Sequence, residues 1–246
     1  MREIHLTNNQ IYHVYNRGAD KREIFLEKTD YLRCIHNLFE FNNSSSSSPS
    51  NIRFHIKTPK NVGANEIEKS LDTECPNFSK PKRNLLVNIL AFALMPNHFH
   101  LLLEQKQDDG VSKFLHKLSM GYSKYFNEKH KRSGVLFQGK FKAVPVEHDR
   151  QLLHLPYYIH LNPLDLKYPG WRKNDLPNYK KATEFLETYR WSSYPDYIGK
   201  KNFPSVTQRD FLTEFLGGET QHKKDIKKWL KERERNLKIM EGIKLE

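Results

Sequence analysis

Met95-Pro96-Asn97-His98-Phe99-His100-Leu101-Leu102-Leu103 is the stretch that decides the fold. Just before it, Leu85 to Leu94 is a nearly continuous apolar run, broken by Asn88. Such a run reads as a central strand covered on both faces. Met95-Pro96-Asn97 carries turn chemistry, and Asn97 to Gln105 resumes an extended pattern. Strand, tight turn and strand make an antiparallel hairpin. Side chains at i and i+2 of a strand leave the same face, so His98 and His100 aim two imidazoles at one point. That arrangement suits a single divalent metal ion. Taken alone, a His-x-His in a strand is more often incidental than metal-binding, so the pair needs a second motif.

Working outward, Gln10 to Arg17 is rich in β-branched and aromatic residues and ends at Gly18, as a strand does. Thr29 to Phe41 has apolar residues at helical spacing, with Thr29 as N-cap. Asn42 to Asn51 contains five consecutive serines and a proline, a linker composition, and the basic stretch up to Asn84 reads as an insertion, about 43–84. Asp109 to His130 is a long amphipathic helix. Gly134 to Val146 reads as another strand. Glu147 to about Asn162 reads as a helix stopped by Pro163, with Pro156 expected to kink it. Thr207 to Phe215 reads as a short helix stopped by Gly217-Gly218, and His222 to Met240 as a charged helix.

The order β-α-β-β-α-β-α contains the split βαβ, ferredoxin-like pattern of an α+β fold: an antiparallel sheet with helices on one face, plus one added helix. The expected organisation is one domain over 1–180 and a helical C-terminal extension over 181–246.

The chain has 246 residues and a formal net charge of +12. Such a surplus attracts polyanions, of which nucleic acid is the commonest; a solvated surface is the bland alternative. Cys34 and Cys75 form no Cys-x-x-Cys pair and no zinc framework, and a reducing cytoplasm fits them. The N-terminal residues lack the apolar core of a signal peptide, and no apolar run approaches the roughly 18 residues of a membrane span. A cytoplasmic, nucleoid-associated protein with no membrane contact is the expectation.

The second motif is Tyr157-Tyr158-Ile159-His160-Leu161-Asn162-Pro163. Tyr158 and Asn162 are four apart and share a helix face. Read blandly, Tyr158 is a core aromatic and Asn162 a helix-ending residue. Read with the histidine strand, two imidazoles and a carboxamide oxygen supply three positions around Mg²⁺ or Mn²⁺. A tyrosine one turn away can then attack a phosphate in line. A free phenol titrates near 10 and needs help; His154 and His160 are the accessory candidates.

These pieces resemble the REP-associated tyrosine transposases, IS200-like members of the HUH single-tyrosine nuclease superfamily. The matching stretches are YHVYNRG (Tyr12 to Gly18), MPNHFHLLL (Met95 to Leu103), YFN (Tyr125 to Asn127), SGVLFQGKFKA (Ser133 to Ala143), YIHLNPL (Tyr158 to Leu164) and WSSY (Trp191 to Tyr194), in the family's order. The resemblance implies an HUH-type sheet with an added catalytic-tyrosine helix. It implies His98, His100 and Asn162 as metal ligands and Tyr158 as nucleophile. It further implies single-stranded DNA beside a REP-like hairpin as substrate, cut to a 5′-phosphotyrosine and a free 3′-hydroxyl. Arg17, Lys117, Lys124, Lys140 and Lys142 are the candidate DNA-contacting cations. Some relatives exchange the tyrosine helix between subunits, so monomer and homodimer both stay open. A catalytically silent repeat-DNA-binding protein and a metal hydrolase for small phosphoesters are the competing readings.

Overall fold

The computed structural model describes residues 6–44, 83–173 and 175–232. The expected insertion and the end of the charged C-terminal helix therefore lie almost wholly outside the described residues. Four strands form one antiparallel sheet: β1 (Ile11–Arg17), β2 (Val87–Met95), β3 (His98–Gln105) and β4 (Lys142–Pro145), in the spatial order β2-β3-β1-β4. β1 and β2 run parallel with β3 between them. Helices α1 (Lys28–Glu40), α2 (Gly110–Lys129) and α3 (Asp149–Leu161) complete the α+β arrangement. The hairpin turns where the sequence says it should, Met95 pairing with His98.

The alternation of β3 divides the molecule into two cores. Phe99, Leu101 and Leu103 join Tyr12 and Val14 of β1 on one face and pack against Leu32, Ile35 and Leu38 of α1 and Phe114, Leu118 and Tyr122 of α2. Leu102 faces the opposite way and packs with Leu155, Ile159 and Leu161 of α3. α1 and α2 thus share one face, as the split pattern implies, and the opposite face is covered as well. The extra cover comes from the added helix and from the C-terminal helices, whose apolar residues no strand pattern could assign to a side.

Those helices are α4 (Leu164–Lys167), α5 (Tyr179–Thr188), α6 (Tyr194–Tyr197), α7 (Asp210–Phe215) and α8 (Glu219–Lys231). Ile226, Trp229 and Leu230 of α8 are buried in the same core as α3. Between α5 and α6, Leu94 donates to Trp191 O at 2.8 Å and Ser193 to Phe92 O at 3.0 Å. The Trp-Ser-Ser-Tyr segment thus pairs with the outer edge of β2, which an unpaired edge strand requires.

Three local expectations are revised. The N-cap of α1 is Glu27, in a reciprocal capping box with Asp30, not Thr29. The Gly134 to Val146 strand shrinks to Lys142–Pro145, because Gly134 and Gly139 adopt φ of +84° and +80°, a conformation that interrupts a ladder. The third is qualified: Pro156, expected to kink α3, leaves it a single helix from 149 to 161. Burial of its neighbours Leu155, Tyr157 and Ile159 against the sheet and α8 holds the helix across the missing hydrogen bond. Downstream, Gly217 and Gly218 (φ +79° and +88°) end α7 as the sequence indicates.

His160 ties α3 to the C-terminal helices. Its Nδ1 lies 3.1 Å from His222 Nε2 and its Nε2 lies 2.9 Å from Ser193 Oγ. Among the described residues no helix is long and apolar enough to cross a membrane.

Burial depresses His36 and His222 to about 4 and holds His160 well below the ordinary histidine range. The unfolded chain protonates these groups near 6.5, so unfolding takes up protons between roughly pH 6.5 and 4. Stability is therefore full above that window and falls as pH drops through it, by about 1.4 kcal/mol per pH unit for each histidine. Urea titrations at pH 7, 6 and 5 should show a steady loss, and His222→Gln should reduce it while His36 and His160 keep the remainder; equal stability at pH 7 and 5 would contradict the assignment.

Candidate active site

β3 presents His98 and His100 on the face away from α1 and α2, and β1 lies beside it with Tyr15 opposite His100 and Arg17 opposite His98. The same face of β1 carries His13. Its Nε2 lies 2.9 Å from His100 Nδ1, and the two rings stack at 5.1 Å and 12°. His98 stands perpendicular to His100, with ring centroids 5.0 Å apart. The Nδ1 of His98 donates to Asn97 Oδ1 at 2.6 Å. A partner at Nδ1 that fixes the tautomer is the usual setting of a metal-binding imidazole. His100 is only 1% exposed. Burial, and then the neighbouring charges of His13, His98 and Arg172, push it well below the ordinary histidine range, so it stays a neutral imidazole. Two imidazoles on one face, His100 held neutral, fit a divalent ion.

α3 crosses this face and brings its tyrosine to the histidines. The Tyr158 ring stands edge-on to His100 at 5.6 Å and to His13 at 5.9 Å, with interplanar angles of 88° and 83°. Tyr157, about 100° further round the helix, points elsewhere. Its hydroxyl donates to Asp225 Oδ2 at 3.3 Å and its ring stacks on His222 at 5.1 Å. The structure therefore separates two tyrosines that are adjacent in sequence.

Asn162 follows Tyr158 by one turn and is buried. Its Nδ2 donates to Tyr158 O at 3.0 Å, and its Oδ1 accepts from Arg172 Nη2, also at 3.0 Å. The carboxamide oxygen thus faces a guanidinium. Arg172 is held in turn by the Asp165 carboxylate through Nε and Nη2, rests on Trp171 with its Cζ 4.6 Å from the ring centroid, and lies over Tyr158 at 5.3 Å.

The remaining candidates divide. Arg17 and Lys142 are exposed at the sheet end where β3 begins, Lys142 with Nζ 5.6 Å above the Tyr15 ring, and Lys140 is exposed just before β4. Lys117 and Lys124 belong to α2, which covers the other face of the sheet. Lys117 is bonded to Asn43 O at 2.7 Å. His154 lies half-buried one turn before Tyr158, its pKa lowered by burial and by Arg150. His160 points to His222 and Ser193, so it does not join the histidine face.

Sequence reasoning missed His13 and Arg172. His13 sits at i−2 from Tyr15 in a recognised strand, but only the β1–β3 register shows that it meets His100. Arg172 lies past the helix-ending proline, in a segment with no periodic pattern.

A second group, Glu27, Asp30 and His130, has ligand atoms within 4.8 Å of one another and is compatible with a divalent cation. Lys129 already places its ammonium there, 2.8 Å from Asp30 Oδ1 and bonded to Glu27. The group joins α1 to α2, on the far side of the sheet from His98.

Residues 50–162 match the family model described as IS200-like transposase. The matched span holds the histidine strand and the tyrosine helix, the two motifs that carry the resemblance read from the sequence. One solved structure similar to this chain is described as the REP-associated tyrosine transposase bound to a REP hairpin. It is 13% identical, with a TM-score of 0.46 over 85% of this chain and 92% of that one. No curated protein sequence matches the chain.

The buried Asp30 carboxylate accepts from Leu26 and Glu27 backbone amides, Lys129 and His130. Asp30→Ala should cost about 2–4 kcal/mol in urea unfolding, because those donors lose a common acceptor. Chelators should leave that stability unchanged, since Lys129 supplies the positive charge; a drop in melting temperature with EDTA would show a structural metal instead.

Proposed function

Starting from an IS200-like transposase segment at residues 50–162, we propose that this chain is a metal-dependent single-strand DNA endonuclease and strand transferase. Its substrate is hairpin-bearing DNA such as a REP repeat. The observation that carries this reading is the Tyr158 ring standing edge-on to both His100 and His13 across the sheet face.

In this reading Tyr158 Oη attacks a backbone phosphorus. The Oη–P bond forms as the P–O3′ bond breaks, and the phenolic proton ends on the departing 3′-oxygen. The products are a 5′-phosphotyrosine and a free 3′-hydroxyl, and a second 3′-hydroxyl reverses the step to join strands. His98 and His100 would hold Mg²⁺ or Mn²⁺, whose contribution is to polarise the phosphate; Asn162, now turned to Arg172, is the third donor of the set. Tyr158 is held in register by α3, its ring edge-on to His100 and His13. Arg17, Lys140 and Lys142 border the sheet end that leads to His98, and they suit the incoming backbone better than Lys117 and Lys124.

Incubation with Mn²⁺ and labelled hairpin-tailed oligonucleotides should yield an SDS-resistant adduct. Tyr158→Phe should lower it by roughly a thousandfold or more, Tyr157→Phe should keep it, and chelation should abolish it. An adduct lost in Tyr157→Phe and kept in Tyr158→Phe would overturn the site.

Binding should weaken with salt, and Lys140→Ala and Lys142→Ala should each reduce the log–log slope by about 1. Lys117→Ala should leave it unchanged. A slope that responds to Lys117 alone would place the DNA on the other face.

A further inference from the structure

We propose that Arg172 is the anion-binding group of this site and takes the phosphate that Tyr158 attacks. The proposal rests on the nuclease reading and adds a residue that no motif supplies.

Arg172 lies where such a phosphate must come. Its guanidinium is 5.3 Å from the centroid of the Tyr158 ring and bonds Asn162 Oδ1 at 3.0 Å. The group is also preorganised. Asp165 accepts from Nε at 3.1 Å and from Nη2 at 3.0 Å, and Trp171 supports one face of the plane while donating its own Nε1–H to the same carboxylate. Only the Nε–Nη2 edge is used by the protein. Among the described residues Nη1 makes no hydrogen bond, and the side chain is 30% exposed. Two N–H donors therefore remain on a guanidinium that lies over the Tyr158 ring.

A planar, permanently charged fork matches phosphate oxygens better than a lysine does. Because its position is fixed before substrate arrives, it stabilises charge that builds on the phosphate oxygens without reorganising. The plainer role for Arg172 is a strut between Asp165 and Asn162. A strut would stabilise the fold but would be indifferent to which phosphate is charged.

The test replaces phosphates of a hairpin-tailed single-stranded oligonucleotide one at a time with neutral methylphosphonates. Binding to the full chain is measured in Mn²⁺ for wild type, Arg172→Lys and Arg172→Ala. In wild type one position should weaken binding about tenfold, the scale of one charge-assisted hydrogen bond. In Arg172→Ala binding should already be weaker by about that factor, and the same methylphosphonate should cost less than about twofold more. Arg172→Lys, which keeps the charge and serves if Arg172→Ala unfolds, should retain only part of the coupling. The coupled phosphate should be the one found joined to Tyr158 by peptide mapping of the adduct. A methylphosphonate penalty that persists undiminished in both variants would overturn the proposal, as would coupling to a phosphate other than the one joined to Tyr158. Coupling with no adduct from wild type would leave Arg172 as a phosphate ligand and remove only the nuclease reading.

Discussion

Everything at the site depends on the two-residue alternation of β3. Phe99, Leu101 and Leu103 are committed to the core beneath α1 and α2, and that commitment forces His98, His100 and Leu102 onto the opposite face. A slip of one residue in register would drive two imidazoles into the apolar core beneath α1 and α2 and turn three large apolar side chains onto the face that meets α3. The position of the histidine pair is therefore fixed by the apolar residues between and beyond them. Hydrogen bonds from His100 to His13 and from His98 to Asn97 then set ring orientation rather than location.

The histidine face is useful only because something covers it. α3 delivers Tyr158 against the imidazoles, and α3 is itself fixed from behind. Tyr157 meets Asp225 and His222, and His160 bonds both His222 and Ser193. Alternate residues of one helical turn thus face opposite ways: Tyr158 toward the sheet histidines, Tyr157 and His160 toward α8 and the segment that edges β2. The aromatic neighbour and the nearby histidine that look chemically tempting in the sequence are the groups that anchor the helix.

Much of this arrangement was legible in the sequence. The hairpin at Met95-Pro96-Asn97, the amphipathic helices and the i, i+2 and i, i+4 spacings of the key residues are local properties, and each survives in the structure. Several features were not legible because they arise from pairing between distant segments. The partnership of His13 with His100 follows from the β1–β3 register. The engagement of Asn162 by Arg172 crosses a turn with no periodicity. The placement of Lys117 and Lys124 on the far side follows from which face α2 covers, which amphipathicity alone does not decide. The Gly134 to Val146 segment looked extended because its residue types are those of strands, yet two glycines at positive φ break it.

The central claim is that His98, His100 and Tyr158 meet on one face of the sheet to hold and use one metal ion. It is tested most directly by a crystal structure of the full chain grown with Mn²⁺ and examined for anomalous scattering. The account predicts a peak within bonding distance of the Nε2 atoms of both histidines, with the Tyr158 hydroxyl opening onto it. A peak at Glu27, Asp30 and His130 with none at the histidine pair, or a Tyr158 side chain turned away from the ion, would contradict it.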